Sequence, residues 1–187
     1  KEWGVAQSKK WIGKLSQSQQ NGILAYKEFG ADINEFLRTG ETPGDDVSYQ
    51  EYIKNIDSVF SLAGGFDEDV IVYRGISGFV VNKTLKNNTL VDLGYASTSF
   101  NIHTASEFSG SSGLVVKIKI KKGTPAVFVD AISESGFGLD ELEVLLPRGS
   151  KVKLTGRLST KVLKWEETWE EEGDITVTII EGTVVEP

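Results

Sequence analysis

Two glutamates one residue apart, Glu141 and Glu143, follow a glycine-rich stretch with one aromatic, Gly136-Phe137-Gly138, and lead into Val144-Leu145-Leu146. A short strand is expected here, and strand side chains alternate faces. Both carboxylates then share a face, roughly 6 to 7 Å apart, with Leu142 and Val144 turned toward a core. Like charges at that distance repel, and folding does not call for them. A fixed pair of this kind can stabilise a developing cation and move a proton beside it. A solvated strand face next to a turn carries glutamates just as readily, so the pair does not decide the matter alone.

Three other sites carry residue types suited to chemistry. Val70-Ile71-Val72-Tyr73 reads as an apolar strand ending on Arg74-Gly75. An arginine at a strand end, beside a glycine that admits close backbone approach, suits a bidentate phosphate clamp; a surface arginine is the plainer reading. In Ser97-Thr98-Ser99 the two serines share a face with Tyr95, while Ala96, Thr98 and Phe100 face oppositely. Such hydroxyls are usually filler, or they donate to a carboxylate and hold it in one rotamer. Asn34 and Arg38, four apart, fall on one helical face that an ordinary polar surface would also explain. His103 reads as a solvated loop residue without a role.

The elements that must position these residues change character along the chain. Residues 2 to 15 have helical spacing, and Ser16 with Gln19 predicts a capping box for a second helix ending near Gly30. Asp32 with Glu35 predicts a third, stopped by Gly40, and Ser48 with Glu51 a fourth running to about Leu62. From Asp69 the period becomes that of strands: Val70 to Gly75, Leu90 to Phe100, Leu114 to Ile120, Ala126 to Val129, Lys151 to Leu158, Val162 to Trp165 and Asp174 to Glu181. Thr104 with Glu107 predicts one helical turn carrying Phe108. The acidic run Glu166 to Glu172 reads as a charged hairpin tip. Helices first and mostly antiparallel strands after make an α+β domain, residues 1–187 as a single unit, helical to about 65 and β-rich from about 66.

Composition narrows the function. A net charge of −7 argues against a nucleic-acid partner held by phosphate contacts. With no cysteine and one histidine, thiolate chemistry, zinc sites and serine triads are out of reach, and no metal is expected. No apolar run approaches the roughly 18 residues of a membrane span. A chain that starts at Lys1 and lacks methionine reads as a mature or excised piece, and the absence of both sulfur residues fits export.

In chain order, Ile33-Asn34 with Leu37-Arg38, Tyr73-Arg74-Gly75, Ser97-Thr98-Ser99, Phe108 before Gly110, Gly136-Phe137 and Glu141-Leu142-Glu143-Val144-Leu145-Leu146 resemble the arginine, serine, glutamate signature of the mono-ADP-ribosyltransferases. The resemblance is to those related to actin-modifying and insecticidal binary toxins and Rho-modifying exoenzymes. It implies an ADP-ribosyltransferase-type fold with a β-sandwich core, and NAD as co-substrate. By the same resemblance Arg74 would hold the pyrophosphate, Gly75 backbone would pair with the nicotinamide amide, and Asn34 and Arg38 would meet the adenosine and phosphate side. Ser97 would orient the catalytic Glu143, Phe108 would pack on nicotinamide, and Phe137 and Glu141 would meet the acceptor protein. Relatives with glutamine at the place of Glu141 resemble asparagine-modifying enzymes, so glutamate favours an arginine acceptor on a host protein, with actin among the candidates. Some relatives carry an arginine where this chain has Ser111, which puts a second phosphate contact in doubt. The resemblance also implies a secreted toxin acting in the target-cell cytosol, brought there by a separate component or domain. An NAD glycohydrolase on the same scaffold is the alternative, as is a non-catalytic adaptor half, which has no need of the intact signature.

Overall fold

Local signals account for the helices. In the computed structural model, which describes residues 1–41, 49–77, 85–86, 88–110, 113–132, 141–164 and 174–186, α1 spans Glu2–Ser8 and a 3₁₀ turn at Ile12–Lys14 completes the first stretch. Helix α2, Gln17–Thr39, starts with the expected capping box: Ser16 Oγ accepts from the Gln19 N–H and the Gln19 side chain accepts from the Ser16 N–H. The break expected at Gly30 is a kink, with Phe29 at φ −122° and ψ 22°, so the predicted third helix is the second half of α2. Both halves bury residues in one cluster, Tyr26 before the kink and Ile33 after it, which holds the bent helix together. Helix α3 follows at Tyr49–Ala63, and its expected cap Ser48 lies outside the described residues.

Nine strands follow among the described residues: β1 Val70–Ile76, β2 Leu85–Lys86, β3 Thr89–Val91, β4 Ala96–Ser99, β5 Leu114–Ile120, β6 Val127–Phe128, β7 Glu143–Leu146, β8 Lys151–Leu163 and β9 Ile175–Glu186, with helix α4, Ile102–Ser109, between β4 and β5. Their order in the sheet is β2-β3-β8-β9-β5-β1-β4-β7-β6. All neighbours are antiparallel except β5 with β9. The single strand expected over Leu90–Phe100 is two strands, because the Asp92 carboxylate accepts the Gly94 N–H at 3.0 Å and turns the chain. Conversely, the two strands expected over 151–165 form the single strand β8, whose register shift between Leu154 and Leu158 includes Gly156 at φ 74°.

That split dictates the shape of the sheet. In a flat sheet β3 and β4, five places apart, would lie about 24 Å from each other. The chain from Val91 to Ala96 reaches at most about 18 Å. The sheet therefore curls over and faces itself. One apolar cluster fills the space inside, joining Leu90, Ala96, Ile118, Val144, Val152 and Val184 from six strands. Helices α2 and α3 cover the outer side of β4, β7 and β6, where Ile33, Ile56 and Phe60 meet Tyr95, Val127 and Leu145. Helix α4 covers the other side of the fold, Ala105 against Val115, Val177 and Ile179. Between these two covers, β1 and β4 are joined at one register pair, Tyr73 with Ser99. Among the described residues no helix is long and apolar enough to cross a membrane.

Candidate active site

Where β1 and β4 part, a cleft of about 830 Å³ opens. Asn34, Arg38, Arg74, Gly75, Ser97, Phe108, Glu141 and Glu143 all line it, although they come from five separate elements and a loop. Phe137 and Ser111 lie outside the described residues, as does the acidic run 166–172.

One end of the cleft is built around a carboxylate that the sequence pattern did not single out. Asp92, 8% exposed, accepts Nε and Nη2 of Arg38 at 2.8 and 2.7 Å and Nη2 of Arg74 at 2.6 Å. Arg74 also donates from Nη1 to the Ser97 carbonyl at 3.1 Å. Burial opposes ionisation of Asp92, but the Arg38 hydrogen bonds and the two guanidinium charges prevail and hold it below the usual aspartate range. The Asp-Leu-Gly sequence inside an apparent strand is the signal for this turn. Asn34 is committed within the protein: its amide accepts the Tyr95 N–H at 2.7 Å and donates to the Tyr95 carbonyl and the Tyr26 hydroxyl at 3.2 and 3.0 Å. It ties α2 to β4 while lining the cleft.

The other end carries the glutamates. β4 and β7 pair with Ser99 opposite Glu143 and Ser97 opposite Leu145, so Ser97 and Glu143 are diagonal neighbours on one face. The Ser97 hydroxyl donates to Glu143 Oε1 at 2.6 Å. Glu143 is 6% exposed, and burial pushes its carboxyl above the usual glutamate range. The Ser97 hydrogen bond and the Lys27 charge oppose that rise, while Glu141 and Asp130 add to it. Lys27 on α2, half-buried, pairs with the buried Asp130 on the turn that follows the Phe128–Val144 pairing, Nζ to Oδ1 at 3.1 Å. Asp130 Oδ2 is buried and has no hydrogen-bond partner among the described residues. Burial first, then the nearby Glu143 charge, push the Tyr26 phenol upward and keep it neutral.

The expected alternation of the two glutamates on one strand is corrected. Strand β7 opens at Glu143, and Leu142 before it has φ 50°, a left-handed conformation costing a non-glycine residue roughly 1 to 2 kcal/mol. Hydrogen bonds from Ser99 Oγ to the Glu141 carbonyl and from Phe100 N–H to the Leu142 carbonyl hold this bend. Leu142 packs on the interior cluster, and Glu141, half-buried, stands at the cleft wall. A bend, not strand pleating, sets the relation of the two acids. Across the cleft, α4 lies so close to β1 that a Cβ on Gly75 would stand 2.0 Å from the Ala105 carbonyl oxygen. That approach brings Phe108, 63% exposed, to the cleft.

The profile of the ADP-ribosyltransferase exoenzyme family matches residues 1–185. The chain belongs to this family, and it is an NAD-dependent mono-ADP-ribosyltransferase domain of the toxin type. No curated protein sequence matches it. Among solved structures it is similar to Plx2a, an ADP-ribosyltransferase toxin from Paenibacillus larvae, at 24% identity and TM-score 0.72, covering 98% of this chain and 94% of that one. It is also similar to the enzymatic component C2-I of the C2 toxin from Clostridium botulinum, at 21% identity and TM-score 0.74, covering 98% of this chain and 46% of C2-I. A third likeness is C3stau2 from S. aureus with NAD, at 21% identity and TM-score 0.66, covering 100% of this chain and 94% of that one. At these identities the structural likeness speaks for the fold alone.

Proposed function

We propose that the acceptor is an arginine side chain of a target protein, and that the observation carrying this is the pair of acids at one end of the cleft, one buried and one at the wall. Breaking the bond between nicotinamide and the ribose C1′ builds positive charge on the sugar, and a fixed carboxylate beside it stabilises that charge. Glu143, held by Ser97, does this work. Nicotinamide leaves with the bonding electrons, and a guanidinium nitrogen forms the new bond to C1′. A guanidinium is cationic and a poor nucleophile. Glu141 binds it, orients it and accepts the proton it loses as the bond forms.

At the other end Arg74 and Arg38 meet the phosphates; Gly75 pairs with the nicotinamide amide and Phe108 packs on its ring. The cleft volume falls within the range of cofactor-sized sites. Asn34 serves the adenosine side chiefly by fixing α2 to the backbone of Tyr95. Phe137 extends the contact with the acceptor protein. The domain acts after export, in the cytosol of a target cell, and a separate component or domain delivers it.

Glu141→Gln tests the acceptor. Transfer to agmatine, a simple guanidino compound, should fall by at least about a hundredfold, while a substantial share of NAD hydrolysis survives, because water needs no such escort. Parallel loss of both activities would place Glu141 in the bond-breaking step. A parent protein that hydrolyses NAD but labels neither agmatine nor protein would favour the glycohydrolase reading.

A further inference from the structure

From the geometry at the arginine end we infer that Asp92 is a positioning residue for substrate binding: it locks two guanidiniums from different elements into one anion-binding unit. This rests on the reading of Arg38 and Arg74 as the phosphate contacts. Arg38 comes from α2 and Arg74 from β1, 36 positions apart in sequence. Nothing local fixes the distance between them; one carboxylate does. Oδ2 takes Nη2 of both arginines, at 2.7 and 2.6 Å, while Oδ1 takes Nε of Arg38 and the Gly94 N–H, at 2.8 and 3.0 Å. The Asp92 carbonyl accepts the Gly149 N–H at 2.8 Å, so the backbone of the carboxylate is anchored as well.

A carboxylate in an anion site opposes the anion by charge alone. Two unpaired guanidiniums would attract a pyrophosphate more strongly than this unit, whose net charge is +1, but they would repel each other and hold no common geometry. Preorganisation and charge therefore predict opposite signs when Asp92 is changed. If Asp92 merely dilutes the positive field, Asp92→Asn tightens NAD binding and Asp92→Glu, which keeps the charge, leaves it unchanged. If it positions the arginines, both variants weaken binding: Asn loses two charge-assisted acceptors, and Glu displaces them by one methylene.

The test is calorimetric binding of NAD, and separately of ADP, in the Glu143→Gln background so that no turnover occurs. A fall in affinity of about tenfold or more is expected for both variants and both ligands. The loss from Asp92→Asn should shrink once Arg38→Gln is also present, because the arginine it positions is gone. If Asp92→Asn fails to fold, Asp92→Glu carries the same comparison alone. Tighter binding by Asp92→Asn, or parent-like binding by Asp92→Glu, overturns the inference. Unchanged binding by Arg38→Gln and Arg74→Lys would overturn the phosphate reading beneath it, a different result from arginine variants that matter and Asp92 variants that do not.

Discussion

The two ends of the cleft treat buried charge in opposite ways. At the arginine end every formal charge has an oppositely charged partner within 2.8 Å, and Asp92 is held more acidic than usual. At the glutamate end Glu143 takes a hydrogen bond from a neutral hydroxyl, and among the described residues no Lys or Arg lies within ion-pair distance of it. Its carboxyl is held less acidic than usual. A group that only binds substrate can be satisfied in advance. A group with the role proposed for Glu143, stabilising a cation formed during the reaction, gains by being left short of partners, because the transition state then supplies what the resting protein lacks.

The largest break in this comparison is Glu143→Gln. Turnover should fall by about a thousandfold or more with NAD affinity retained, because Gln keeps the shape and loses the charge. The same change should raise stability at pH 7. A carboxyl whose folded pKa lies above its unfolded value stabilises the fold at low pH and loses that contribution as pH rises through the folded pKa. Relief of the buried charge should therefore grow above the ordinary glutamate range and vanish below it. Each kcal/mol is worth about 2 to 4 °C in Tm at this size. A thermal shift identical at pH 4 and pH 8 would remove the contrast between the two ends.

Arg74→Lys probes the satisfied end. Charge is kept, but the planar fork that reaches both Asp92 and the Ser97 carbonyl is lost, so NAD affinity should fall about tenfold with net charge unchanged. Calorimetry in the Glu143→Gln background measures it. Unchanged affinity would move the phosphate contact to Arg38.

How legible these ends were differs for physical reasons. The Ser97–Glu143 contact follows from strand alternation and pairing, both written in local pattern, and the Ser16–Gln19 cap is equally local. Asp92 sits among apolar residues that read as one strand, and only its side-chain turn onto Gly94 breaks the run. The left-handed Leu142 is invisible because leucine carries no signal for positive φ. Lys27 and Asp130 are 103 positions apart, and neither residue type announces a buried partner at such a distance. That Asn34, Arg38, Arg74, Gly75, Ser97, Phe108, Glu141 and Glu143 gather at one cleft was readable; the charged groups Asp92, Lys27 and Asp130 that surround them were not.

Those hidden groups supply the finest test. The charges facing Glu143 come from Lys27 on α2, Asp130 on the turn after β6, and Glu141 on the bend, with Ser97 and the neutral Tyr26 completing its surroundings. Lys27 favours the ionised carboxylate, whereas Asp130 and Glu141 disfavour it. Lys27→Met removes the favourable charge and leaves Asp130 unanswered, so both changes push the Glu143 pKa higher. If Glu143 acts as proposed, bond breaking needs it ionised, and the acid limb of the pH profile for kcat should move toward higher pH. The loss should be a few-fold near that limb and fade at alkaline pH, where Glu143 is ionised in both proteins. Lys27→Met with Asp130→Asn removes opposing charges together, and the limb should return toward that of the parent. A loss of activity that is uniform across pH, or a double variant shifted as far as the single, would mean that the pair serves packing and does not tune the acid.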